Sequence, residues 1–125
     1  MARGGDPKAG PEPLIHHELC FGCGRANLFG LLAELRPADG GGVAGRCFLK
    51  QDHQGPERGV AHPGIVAAAL VEAMALAGGD GLRGIEIEFE APAPVGTFLQ
   101  LEASRDAATA RAGGELVARA RASYG

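Results

Sequence analysis

The sequence has no tryptophan, one tyrosine and only three cysteines. Cys20, Cys23 and Cys47 cannot form the framework of a disulfide-stapled secreted domain, so a reduced, cytoplasmic setting is expected. No block of Lys or Arg occurs and the net charge is -3, which argues against nucleic acid and anionic membrane as main partners. No apolar run is long enough to cross a bilayer. The N-terminus lacks the apolar core of a signal peptide. Aromatic residues make up 5% of the chain, while there are 21 glycines. That balance fits either close backbone packing or a compositional bias, and composition does not separate the two.

The 125 residues suffice for one domain with one core. Residues 1–13, MARGGDPKAGPEP, read as a flexible leader, and residues 14–125 as a single domain. The organising stretch is residues 61–77, AHPGIVAAALVEAMALA. Pro63 and Gly64 open it, good helix formers follow, and the run is too long for an ordinary strand, so a helix is expected from residue 65 to 77. Such a helix is roughly 20 Å long at 1.5 Å per residue, a core helix and not a membrane span. It is apolar on every side and therefore wants cover on every side. Ile65, Ala68, Ala69, Glu72 and Leu76 share one stripe, and Glu72 is the only charge. A largely buried carboxylate needs donors or a proton, which makes Glu72 the first functional candidate.

Around this helix the pattern is that of strands. Residues 31–37 and 43–50 flank a glycine turn at 40–42, with Val43, Gly45, Cys47 and Leu49 on one face, and read as a hairpin. Residues 14–30 read as structured loop, and 51–59 as a polar loop leading to His62. Residues 78–84, GGDGLRG, read as a helix stop followed by a turn. In residues 85–91, Ile85, Ile87, Phe89 and Ala91 alternate with Glu86, Glu88 and Glu90, the clearest strand of the sequence. Residues 95–104 and 115–122 read as further strands, residues 105–112 as a weakly patterned one, and Gly113–Gly114 as a hairpin turn. Short turns imply an antiparallel sheet. The expected class is α+β, with a curved antiparallel sheet wrapped around one central helix and a partner subunit covering the remainder.

Four blocks in register carry a family likeness. Cys20, Phe21, Gly22, Cys23 and Gly24 are followed by Asn27, Gly30 and Leu31; Gln54, Gly55 and Pro56 lead to Gly59, His62, Pro63 and Gly64; the alternating strand ends in Pro92, Pro94 and Gly96; the last strand runs from Gly114 to Ala120. Over roughly residues 19–124 the chain resembles the hotdog-fold acyl-CoA thioesterases of the PaaI-like group. The resemblance implies a five- or six-stranded antiparallel sheet around the helix, a homodimer or a dimer of dimers, and an acyl-CoA or related thioester bound at the subunit interface near the helix start. It implies no cofactor beyond the CoA of the substrate itself. Two positions depart from the pattern. Pro63 replaces a glycine and has no N–H to donate. Val71 stands where many members carry the catalytic acid, with Glu72 one position, or about 100°, further round the helix.

Thioester hydrolysis needs donors for an oxyanion and a base or carboxylate nucleophile. Gly64 and Ile65 at the helix start are the candidate donors. Glu72 is the candidate base or nucleophile, and His62 is placed to orient the loop, the carbonyl or a water. His53 and Gln54 are candidate substrate contacts, and Arg25 a candidate partner for a CoA phosphate. The plainer reading stays open beside these: His62 caps the helix, and Glu72 makes a structural pair. Cys20 and Cys23 have CxxC spacing, but a zinc site needs two further ligands and no second CxxC exists, so packing is expected and no metal. A non-catalytic acyl-CoA-binding protein is the alternative to a thioesterase, and Val71 favours it. A hotdog hydratase fits less well, because its acid lies earlier in the helix.

Overall fold

The computed structural model describes residues 12–124. Of the expected leader only Glu12 and Pro13 fall within this range; residues 1–11 lie outside it. The strands are β1 (Glu34–Pro37), β2 (Val43–Phe48), β3 (Leu82–Phe89), β4 (Phe98–Ala103), β5 (Ala107–Ala112) and β6 (Glu115–Tyr124), and the helix α1 is Pro63–Leu76. The six strands among the described residues form one antiparallel sheet in the order β1-β2-β4-β5-β6-β3.

The helix begins and ends by local rules. Pro63 occupies the first turn, where a missing N–H costs nothing, and the His62 side chain accepts a hydrogen bond from the Gly64 N–H. At the other end Gly78 takes φ +102°. The Gly79 N–H donates to Met74 O at 3.0 Å and the Gly78 N–H to Ala75 O at 3.1 Å, the paired bonds of a Schellman stop. The two-residue turn at Gly113 and Gly114 has φ +58° and +84°, as a tight hairpin between β5 and β6 demands.

One expectation is corrected. Among the described residues the sheet does not wrap the helix: it is open, with β1 and β3 as its edge strands, and Leu35 O of β1 accepts the Leu14 N–H at 2.8 Å. α1 lies on one face, packed chiefly on β4 and β5, then on β2. Val66, Ala69, Leu70, Ala73 and Met74 face the core with Leu35, Leu49, Leu99, Leu101 and Val117, while Ala67, Ala68, Val71 and Ala75 stay half-buried. The physical reason is strand pairing: β1 and β3 each bond to one neighbouring strand and not to one another, so the sheet does not close, and the side of α1 turned away from it, with Ile65, Val71 and Leu76, is left half-buried.

The strand boundaries shift in two informative places. The chain becomes a strand only at Glu34, because Leu31 and Ala33 donate their N–H groups to Phe21 O and Gly22 O at 2.7 and 2.8 Å instead of to β2. β3 starts at Leu82, inside the expected turn, by pairing with the last residues of β6. At this sheet edge the apolar face is only partly covered: Ile87 is half-buried, but Ile85 is 37% and Phe89 52% exposed. The glutamates of the other face meet β6, where Arg119 pairs with Glu88 at 2.9 Å and Glu90 at 3.2 Å.

Candidate functional site

Two places bring together the residues singled out in the sequence. The first is the start of α1. His62 Nδ1 accepts the Gly64 N–H at 2.8 Å, and His62 O accepts the Ile65 N–H at 2.9 Å. His62 thus caps the helix with both its ring and its carbonyl, and both expected oxyanion donors are already engaged. Gln54 ties the preceding loop together: its Nε2 donates to Gln51 O at 2.9 Å and its Oε1 accepts the Gly59 N–H at 2.6 Å. Beside Pro63 opens a largely apolar groove of about 390 Å³, lined among others by Val60, Val66, Phe89, Ala93 and Val117, with Glu57 and Glu90 as its charged members. Arg25 is elsewhere, 3.9 Å from Glu34.

The second place is the middle of α1. Glu72 does not face the groove. It sits nine residues beyond Pro63, roughly 13 Å along the helix axis, and is 9% exposed beneath the N-terminal segment. Its carboxylate lies 3.0 Å from His16 Nδ1 and 3.6 Å from Cys20 Sγ. Cys20 Sγ and Cys23 Sγ each lie 3.5 Å from the same His16 nitrogen. The chain reaches this arrangement through a tight turn. The Gly24 N–H donates to Cys20 O at 2.9 Å, and a Cβ at Gly22 would collide with the Glu72 side chain. Burial works to raise the Cys20 thiol, but the Cys23 and Gly22 N–H groups and the His16 ring outweigh it and bring it below 9.0. Burial, helped by Glu72, pushes the Cys23 thiol up to about 12. Burial works to lower His16, but Cys20 and Glu72 outweigh it and raise the imidazole above 6.5. His16, Cys20 and Cys23 were not among the candidate site residues. The CxxC spacing was the signal for them; the two partners it lacked come from four residues before and from a helix 52 residues away.

His53 is buried, and its Nδ1 accepts the Lys50 N–H at 2.9 Å. That bond places the ring proton on Nε2, which has no partner among the described residues. Burial, then the Lys50 charge, lowers the His53 pKa from 6.5 against an opposing pull from Asp52. A histidine depressed in the folded state binds its proton more readily when unfolded. Its contribution is therefore complete above 6.5 and is lost as the pH falls below that value. The urea midpoint is expected to drop between about pH 7 and about pH 5, and to drop less in His53→Asn, whose Oδ1 keeps the acceptor but does not titrate. Parallel acid slopes for the two chains would refute this assignment.

Solved structures share this architecture. A thioesterase superfamily protein superimposes with a TM-score of 0.75 at 22% identity, over 84% of this chain and 59% of that one. A phenylacetic acid degradation-related protein of Ralstonia eutropha gives 0.64 at 21% identity, over 74% and 83%. The PaaI protein from the phenylacetic acid degradation operon of E. coli gives 0.64 at 19%, over 74% and 77%. The chain has the fold of the hotdog thioesterase superfamily. No protein-family model matches the sequence, and no curated protein does. The chain spans 59% of the length of the first of these hotdog structures. No helix among the described residues is long and apolar enough to cross a membrane.

Proposed function

We propose that this hotdog chain binds an acyl thioester of the acyl-CoA kind, as a dimer, without hydrolysing it through Glu72. The observation that carries the reading is the apolar groove bordering Pro63, at the helix start where the resembled family holds its thioester. A pocket of this size, lined by Val60, Val66, Phe89 and Val117, suits a small or medium acyl group. Three features favour binding over turnover. The Gly64 and Ile65 amides are engaged by His62, position 71 is valine, and the Glu72 carboxylate is turned to His16 and Cys20. The dimer is favoured by β3, an eight-residue edge strand with Ile85 and Phe89 exposed, which offers its free side to a second copy.

Hydrolysis is the second reading, favoured by one observation: a histidine 3.0 Å from a nearly buried glutamate is an arrangement general-base chemistry uses. One experiment separates the two. Wild type and Glu72→Gln are titrated with a panel of acyl-CoAs, reading binding by calorimetry and free thiol by a colorimetric assay, after sedimentation has established the oligomer. Saturable binding by a dimer, with no turnover in either chain, is the expected result. Turnover lost in Glu72→Gln would establish the hydrolase instead, and no binding to any member of the panel would end both readings.

A further inference from the structure

The cluster beneath the N-terminal segment holds four side chains that each offer one ligand atom: His16 Nδ1, Cys20 Sγ, Cys23 Sγ and a Glu72 carboxylate oxygen. All four atoms lie within 4.8 Å of one another. We propose that these four residues bind a zinc ion, which fastens the N-terminal segment to the middle of α1.

The distances support a common centre. A tetrahedral zinc site with the usual Zn–S, Zn–N and Zn–O lengths sets its ligand atoms roughly 3.3–3.8 Å apart. Here His16 Nδ1 lies 3.5 Å from each sulfur and 3.0 Å from Glu72 Oε2, and Cys20 Sγ lies 3.6 Å from the same oxygen. Small movements bring these edges onto a tetrahedron. Hydrogen bonding cannot account for the arrangement as well. One imidazole nitrogen carries either one proton or one lone pair in the ring plane, yet three heavy atoms converge on His16 Nδ1. A cation at the centre satisfies all four groups at once.

The ligand set also selects the metal. Two thiolates, an imidazole and a carboxylate suit a borderline-soft ion; magnesium and calcium want oxygen throughout. The Cys23 sulfur has a supporting backbone donor: the His16 N–H donates to Cys23 Sγ at 3.1 Å. Such an outer donor fixes a thiolate for coordination. Gly22 leaves the space that the Glu72 carboxylate fills. On binding, the two thiols release their protons to solvent, His16 gives its Nδ1 lone pair, and the carboxylate completes the set. Four protein ligands leave no open position, so the ion is structural and not hydrolytic.

What the ion would hold is the segment from residue 14 to 33. Within it, residues 15–30 leave Leu19, Phe21, Leu28 and Phe29 exposed and bury no apolar side chain other than Cys23, although Leu31 and Ala33 beyond them reach the core. A staple between its turn and the central helix compensates for that shortage, as metals do in small, poorly cored units.

The test uses the full chain, prepared without chelators or metal-affinity resin. Plasma mass spectrometry after gel filtration is expected to find one zinc per chain. Replacement by cobalt(II) is expected to give a thiolate-to-cobalt charge-transfer band. Cys20→Ser and Cys23→Ser should each lose the stoichiometric zinc and weaken or abolish the band, while Cys47→Ser, altered in the core away from the cluster, keeps both. A folded wild-type chain that takes up no zinc and gives no band would overturn the proposal. So would zinc unaffected by both serine variants, which marks an adventitious ion only, or a Cys20–Cys23 disulfide read as a mass lower by two hydrogens in the freshly purified protein. Should a serine variant fail to fold, the wild-type cobalt spectrum and its reversal by a chelator decide the matter alone. None of these readouts depends on acyl-CoA, so the zinc site and the proposed function stand or fall separately.

Discussion

Leu70→Ala is expected to lower stability by about 2–5 kcal/mol, the range for a leucine truncated in a closed core. Leu70 is fully buried on the sheet-facing side of α1, within the cluster that includes Leu35, Leu49, Leu99, Leu101 and Val117. Its neighbours on the helix, Ala69 and Ala73, are too small to move into the space. The cavity therefore stays open, and the cost falls towards the upper part of the range. At about 4 °C per kcal/mol the melting temperature should fall by roughly 8–20 °C. Leu28→Ala, at a position 69% exposed, supplies the control and should change stability by less than about 0.5 kcal/mol. Equal, small losses at both positions would mean that α1 is not seated on the sheet as described.

Gly45→Ala is expected to be as damaging, although it adds only one methyl group. Gly45 lies in β2 between Leu35 of β1 and Leu101 of β4. A Cβ there would collide with the Glu34 carbonyl oxygen and lie 2.8 Å from Leu35 Cα. Both obstacles are backbone, so no side-chain rotation relieves them, and β1 must shift away from β2. Overpacking of this kind costs about 1–3 kcal/mol and more where the backbone cannot yield. β1 is a four-residue edge strand whose only strand partner among the described residues is β2, so the expected outcome is a loss of about 3 kcal/mol together with fast hydrogen exchange in β1. A substitution tolerated within about 0.5 kcal/mol, with β1 amides still protected, would show that β1 does not approach β2 so closely.

These two positions also show how legible the chain was. That the helix is a core helix was readable from the sequence, because the run from Ile65 to Ala77 has no polar face, but that Leu70 is one of the side chains meeting the sheet was not. Gly45 could be placed on the core-facing side of its strand by alternation. The reason it must be glycine was not available, because the obstacle is the backbone of another strand. Glu72 was identified as exceptional for a sound reason, since a lone carboxylate in an apolar helix needs a partner. The identity of that partner was invisible, as was the pairing of Arg25 with Glu34, whereas the plainer reading of His62 as a helix cap is the one the structure shows.

Local chemistry by itself determined the helix, its proline start and glycine stop, the alternating strand at Ile85–Phe89, the Gly113–Gly114 hairpin and the antiparallel sense of the sheet. Each depends on residues a few positions apart. Tertiary structure alone decided that the sheet stays open, because closure depends on whether the two edge strands, β1 and β3, meet, and not on the pattern of any one strand. It alone decided the direction of Glu72, since the rotation of α1 on the sheet is set by the summed packing of Val66, Leu70 and Met74. It also brought His16 and Glu72 to a CxxC turn whose own spacing offers only two ligands. Convergence of side chains from distant segments is a property of three-dimensional packing, and no local pattern encodes it.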